Sequence, residues 1–227
     1  MATIERPLAL GEVLAETVRF YGERFWAAVG LGAVVVGGFL LLVLVRSDVP
    51  GIAILAVAFT AVYAAAARLV GGDGFTEAWA QTALRAPVLV VLSAVVSVPL
   101  ALGVFGDPIL ILFSAFWLAF SGFAIPVAVL ERSTAGDGWL QRLGHAMSRS
   151  LELARVNYVH AAGVVATLLI VYHLLGQLLA ASLSGFAENA GLGAFLLTQL
   201  VLAPFFFLGL AVLYFEQNAR AVSSRRS

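Results

Sequence analysis

Charge-poor stretches alternate with polar ones along the whole chain, and six of them, at 26–45, 51–70, 87–105, 108–130, 158–181 and 192–215, carry almost no charge. Each runs to about 20 residues, the length an α-helix needs to cross a hydrocarbon layer about 30 Å thick. The shortest connection, Gly106-Asp107, demands a tight hairpin. Pro108 then suits the first turn of the fourth stretch, where its missing N–H costs nothing. The longer connections have a different pattern. Leu10, Val13, Leu14, Thr17, Val18, Tyr21 and Phe25 recur at helical spacing, with Glu12, Glu16, Arg19 and Glu23 on the other face. Trp139, Leu140, Leu143, Met147, Leu151 and Ala154 repeat this against Arg142, Arg149, Glu152 and Arg155, and Phe75, Ala78, Trp79 and Ala83 form a shorter copy. Each predicts an amphipathic helix lying in a membrane interface, apolar face down.

The three amphipathic segments open near Leu10, Phe75 and Trp139, at spacings of 65 and 64 residues, and two apolar stretches follow each. The single membrane domain, 1–227, therefore reads as three repeats, 8–70, 73–130 and 137–216. Gly72-Asp73-Gly74-Phe75 against Gly136-Asp137-Gly138-Trp139 supports the match, since Gly-rich turns with an Asp suit a helix start. Hairpin-built membrane proteins share similar spacing, so chance competes with triplication.

Composition fixes the solvent. Hydrophobic residues make up 62% of the 227 and charged ones 11%, with a mean hydropathy of +1.01, whereas a soluble domain carries about 25% charged residues. The expected fold is an all-α polytopic bundle of six transmembrane helices with cytoplasmic interfacial helices. All 13 cations are Arg, and 12 of them fall on one side of the six stretches, with Arg46 alone on the other. Positive charge marks the cytoplasmic side, so both termini are expected there. The Arg-only usage points to a GC-rich bacterium and hence to its cytoplasmic membrane. Seven charges precede the first apolar stretch, which is unlike a secretory signal, so that stretch should be retained. The formal net charge of zero and the lack of a basic cluster argue against nucleic-acid binding, and no Cys is present for disulfides or thiolate ligands.

The segment from Arg6 to Phe25 contains Leu8, Gly11, Glu12, Val13, Leu14, Tyr21 and Phe25 in the arrangement Leu-x-x-Gly-Glu-Val-Leu ending in Tyr-x-x-x-Phe. With Pro126-Val-Ala-Val-Leu-Glu131, Ser148-Arg149-Ser150, and Pro204 followed by Val212-Leu-Tyr214-Phe-Glu216, it resembles bacterial membrane proteins related to the membrane domain of glycerophosphoryl diester phosphodiesterases. The resemblance spans nearly the whole chain and implies a helical membrane module with no assigned reaction. The catalytic barrel of such enzymes has no room in 227 residues.

Candidate chemistry is sparse. His145, His160 and His173 have no Cys, Asp or Glu at short ligand spacing, and no nucleophile elbow or phosphate loop occurs. No catalytic, cofactor or metal residues are therefore assigned. Gly30, Ala33 and Gly37 put small side chains on one helix face, which favours packing, and Pro99, Pro126 and Pro204 can each bend a helix and free a carbonyl. Glu131, Asp137 and Glu152 read as solvated charges at headgroup level. Within the apolar stretches the polar inventory is Tyr63, Ser93, Ser97, Ser114, Ser121, Tyr172, His173, Gln177 and Gln199. Equal depth on the last hairpin predicts a contact between His173 and Gln199, which Gln177 extends by one turn. The expected role is that of a non-enzymatic accessory protein that organises membrane lipids or an unassigned membrane partner. A transporter or channel-like protein for a small or lipidic solute is the alternative, weakened by the absence of intramembrane carboxylates.

The Arg asymmetry makes one direct prediction. In intact cells, Ser133→Cys should be shielded from an impermeant thiol reagent and Asn189→Cys should label; the reverse pattern would overturn the orientation.

Overall fold

A computed structural model of the chain describes residues 7–45, 48–103, 108–131, 138–184 and 191–224. In chain order it contains α1 (Leu10–Glu23), α2 (Phe25–Val45), α3 (Asp48–Val70), α4 (Phe75–Leu84), α5 (Ala86–Leu92), a π-helical stretch at Ser93–Ser97, α6 (Val98–Gly103), α7 (Pro108–Ser121), α8 (Ala124–Leu130), α9 (Trp139–Val156), α10 (Tyr158–Ser184) and α11 (Gly191–Ser224). Among the described residues, five helices are long and apolar enough to cross a bilayer: Phe25–Val45, Val49–Val70, Ile109–Leu130, Tyr158–Leu183 and Gly191–Ser224. A sixth crossing is reached by counting Phe75–Leu84 and Ala86–Leu102, bent by 78°, as one broken span. The protein is a polytopic membrane helical bundle. The Gly106-Asp107 hairpin and the Gly136-Asp137 turn lie outside the described residues.

The three amphipathic helices form as their sequences require. At the start of α1 the Glu12 carboxylate accepts the Ala9 N–H at 2.8 Å, and at the start of α9 the Gln141 side chain accepts the Gly138 N–H at 3.1 Å; each satisfies a backbone donor near a helix start. Each amphipathic helix passes into an apolar one through a single residue, Arg24, Arg85 or Asn157. Asn157 caps α10 by accepting the His160 N–H at 3.1 Å. At Arg85 the cause is Pro87, which cannot donate to the preceding turn and so starts a new helix instead of continuing α4. The apolar face of α1 divides: Val13, Thr17 and Phe20 are buried in the protein, while Val18 points outward.

At the middle of the bundle, α3 buries Ala64 to Ala67 completely, and small side chains let its neighbours approach closely. The closest approach between α2 and α11 is at Gly32, where a methyl group would overlap the Leu200 carbonyl oxygen. Among the small residues predicted to pack, Gly30 lies under the Phe75 ring, whereas Ala33 is exposed and Gly37 faces open space. The seam is therefore one residue off the stripe expected from the sequence.

Two prolines free carbonyls that other helices take up. Pro99 removes the donor that would bond Val95, and the Trp117 indole N–H donates to that oxygen at 2.8 Å. Nearby, the Val98 N–H reaches back to Ser93, giving the π-helical turn, and the Thr60 and Ser97 hydroxyls pair at 2.7 Å. Pro204 frees Leu200 in the same way, and the freed oxygen faces the Gly32 backbone, a Cα–H contact of the kind common between close helices. One residue on, the Tyr21 hydroxyl donates to the Val201 carbonyl at 3.0 Å. Burial pushes the Tyr21 phenol up, which keeps it the donor.

Because only glycine leaves room for the Leu200 carbonyl, Gly32→Ala should destabilise the bundle by about 1 to 3 kcal/mol, the usual cost of overpacking. Gly37→Ala, which meets nothing, should be close to neutral. Unfolding in bicelles measures both, and equal effects would show that Gly32 does not set the α2–α11 distance.

Candidate functional site

Charge concentrates at the end of the bundle where the amphipathic helices lie, and three clusters there join distant parts of the chain. The first is centred on Glu216, which is fully buried. The sixth apolar stretch was expected to end at 215, but the helix continues to Ser224 and brings Arg220 one turn beyond Glu216 to pair with it. Glu216 also accepts the Leu8 N–H at 3.4 Å and the Gln217 amide at 3.0 Å, and the His160 imidazole stands 3.6 Å away. Arg220 in turn donates to the Leu8 carbonyl at 2.7 Å. Leu8, just ahead of α1, and the last turns of α11 thus meet at one carboxylate.

The second cluster is built on Glu131, at the end of α8. It accepts from the Tyr214 hydroxyl at 3.3 Å and from Arg149 at 3.4 Å, and His145 lies 3.4 Å away. Arg149 also donates to Glu152 at 2.9 Å and to Asn218 at 3.0 Å. Burial opposes the Arg149 charge, but the hydrogen bonds and negative charges of Glu152 and Glu131 outweigh it and leave the guanidinium more basic than usual. Glu152 is mostly exposed, as the sequence suggests, but Glu131 is a partly buried hub that joins α8, α9 and α11. The reading of Glu131 as a solvated charge is corrected: its partners lie 14, 18 and 83 residues away, where sequence spacing carries no signal. Asp137 is outside the described residues. In the third cluster Arg68 pairs with Asp73 at 2.6 Å and donates to the Val129 carbonyl at 2.7 Å, while Arg24 donates to the Asp73 carbonyl at 2.8 Å.

The polar residues predicted on the last hairpin divide into two pairs. His173 and Gln177 meet at 2.7 Å along α10, and buried Gln199 accepts from Tyr172, not from His173. The reason is angular. Gly176, one turn after Tyr172, packs against Thr198 and Leu202, so the 172–176 line of α10 faces α11. His173 lies about 100° around the helix, on the side where Gln177 is exposed.

The sequence marks Glu216 only within the stretch that carries the family resemblance, and no carboxylate is expected among the buried positions. The available signal was local: Glu216 and Arg220 stand four apart, a spacing that favours pairing if the helix continues. Among the described residues no three His, Asp or Glu side chains are grouped to hold a metal.

Two concavities flank the bend at Arg85. One is a small cleft between Arg85 and Val88 on one wall and Val127, Glu131, Arg142 and His145 on the other. The other is an apolar groove of about 170 Å³ between α3 and the α4–α5 bend, with Thr60, Thr82 and Leu89 buried and Val57, Ala86 and Val90 more open. Compared with family models, curated proteins and solved structures, the chain matches none of them.

Removing one member of a buried ion pair leaves an uncompensated charge and costs about 3 to 5 kcal/mol. Glu216→Ala should therefore destabilise the bundle by about that amount, and adding Arg220→Ala should recover part of the loss. Unfolding free energies of the two single variants and the double variant in bicelles test this, and strictly additive losses would show that the pair does not couple.

Proposed function

We propose that the protein is a non-enzymatic accessory protein of a bacterial cytoplasmic membrane, crossing it six times with both termini inside, whose amphipathic helices organise lipid or a membrane partner. The observation that carries this reading is the use of the polar groups. Arg68, Glu131, Arg149, Glu216 and Arg220 tie helices to one another, and the carbonyls freed by Pro99 and Pro204 are taken up between helices. These groups support a fixed scaffold more than a hydrated path. The scaffold leaves Trp26, Leu84, Trp139 and Leu140 exposed, where aromatic and apolar side chains suit the headgroup boundary. The resemblance to the phosphodiesterase membrane domain supports a membrane module and carries no reaction with it.

A transporter or channel-like protein for a small or lipidic solute remains the second reading, favoured by the apolar groove beside the π-helical turn. Reconstitution separates the two. In sealed vesicles containing the protein, dye leakage and the transfer of labelled lipid between leaflets should match protein-free vesicles, while spin-labelled lipid should show a motionally restricted population. Flux or lipid transfer above the protein-free level would overturn the accessory role in favour of transport.

A further inference from the structure

At the bend at Arg85, two arginines without a partner among the described residues line one cleft. Arg24, Arg68, Arg149 and Arg220 each have an acceptor. Arg85 and Arg142 face a common cleft and make no ion pair or side-chain hydrogen bond among the described residues. The Arg142 Nε is buried with no acceptor among the described residues. The carboxylate in the same cleft, Glu131, is already shared by Arg149, Tyr214 and His145. Two arginines without a partner among the described residues thus line one cleft, and a desolvated N–H donor without a partner calls for an acceptor from outside the protein.

The setting limits what that acceptor is. Arg85 is the junction between an amphipathic helix and an apolar one, which places it at headgroup depth, and Trp79 nearby lines the groove at the level where membrane tryptophans gather. Consecutive residues of one helical turn border both concavities: Arg85 and Val88 line the cleft, Ala86 and Leu89 the groove. The groove is apolar and partly open. The cleft encloses only about 10 Å³, so an anion would sit at its mouth. Arg binds phosphate through paired N–H donors, and anionic phospholipids supply phosphate in the cytoplasmic leaflet.

We infer that the Arg85 bend is a binding site for one anionic phospholipid, with its phosphate held by Arg85 and Arg142 and an acyl chain lying in the groove formed by α3, α4 and α5. This rests on the lipid-organising reading and names the lipid class. The free-anion alternative shares the phosphate chemistry but leaves the groove unused.

The test uses the full chain in neutral detergent, with native mass spectrometry to count retained lipid and thermal unfolding to read stabilisation. Phosphatidylglycerol should be retained at least fivefold over phosphatidylcholine and should raise the melting temperature more. The double variant Arg85→Gln with Arg142→Gln should bind the two lipids equally, and Ala86→Phe, which fills the groove, should weaken both. Equal retention of the two lipids by the unaltered protein would overturn the proposal without any variant. So would a preference that survives in the folded double variant, or in Arg85→Gln alone if the double variant fails to fold. Inorganic phosphate that reproduces the stabilisation would assign the site to a free anion and overturn it as well. Vesicles that stay sealed while no lipid preference is found would sink this site and leave the accessory role standing. Flux with the preference intact would do the opposite.

Discussion

Hydrocarbon offers no hydrogen bonds, so a backbone or side-chain group left unpaired inside a bilayer costs several kcal/mol. Much of this architecture follows from that constraint acting on prolines placed within apolar helices. A proline that bends a helix creates an orphan carbonyl, and the oxygens exposed by Pro99 and Pro204 become fixed points for neighbouring helices. Trp117 reaches the Val95 carbonyl, and Gly32 lies against Leu200. Prolines that would weaken an isolated helix thereby help set the register between the π-helical stretch and α7 and between α2 and α11. Tyr21 extends the same device to an amphipathic helix by bonding the carbonyl next to the one that Pro204 frees in α11.

Charge obeys the same rule at one end of the bundle. A carboxylate with no exposure persists only when opposite charge and donors surround it, and Glu216 meets this with Arg220 on its own helix and the backbone of Leu8 from the far end of the chain. Glu131 does it with Arg149 and Tyr214. Each solution needs groups from several segments, so the amphipathic helices are held by polar contacts as well as by their apolar faces. This explains why α11 runs to 34 residues, about 51 Å at 1.5 Å per residue: its last turns leave the apolar layer and supply Glu216, Gln217, Asn218 and Arg220 to the charged end.

The elements of this arrangement were legible because they are periodic and local. Apolar run length located the long helices, helical spacing located α1, α4 and α9, and Pro108 marked the start of α7. What stayed hidden depends on rotation and long-range contact. On α2 the contact with α11 falls at Gly32, one residue from exposed Ala33 on the expected stripe, and 100° around α10 decides that Tyr172 and not His173 reaches Gln199. Glu216 was hidden for another reason. Charge ordinarily marks the end of a membrane helix, and here the helix continues past it because Arg220 and Leu8 make burial tolerable.

The candidate lipid site becomes visible only when the three junctions between amphipathic and apolar helices are compared. All are single residues with polar side chains, yet two of the three are used internally: Arg24 bonds the Asp73 carbonyl and Asn157 caps the helix that follows it. Arg85 does neither. Its helix break needs no side-chain cap, because Pro87 alone forbids continuation, and this leaves the guanidinium free of structural duty. The same break, at 78°, opens the groove beside α3. One local cause, a proline two residues beyond an arginine, therefore produces both an uncommitted cation and an apolar recess next to it, and a phospholipid is the molecule whose two halves match that pair.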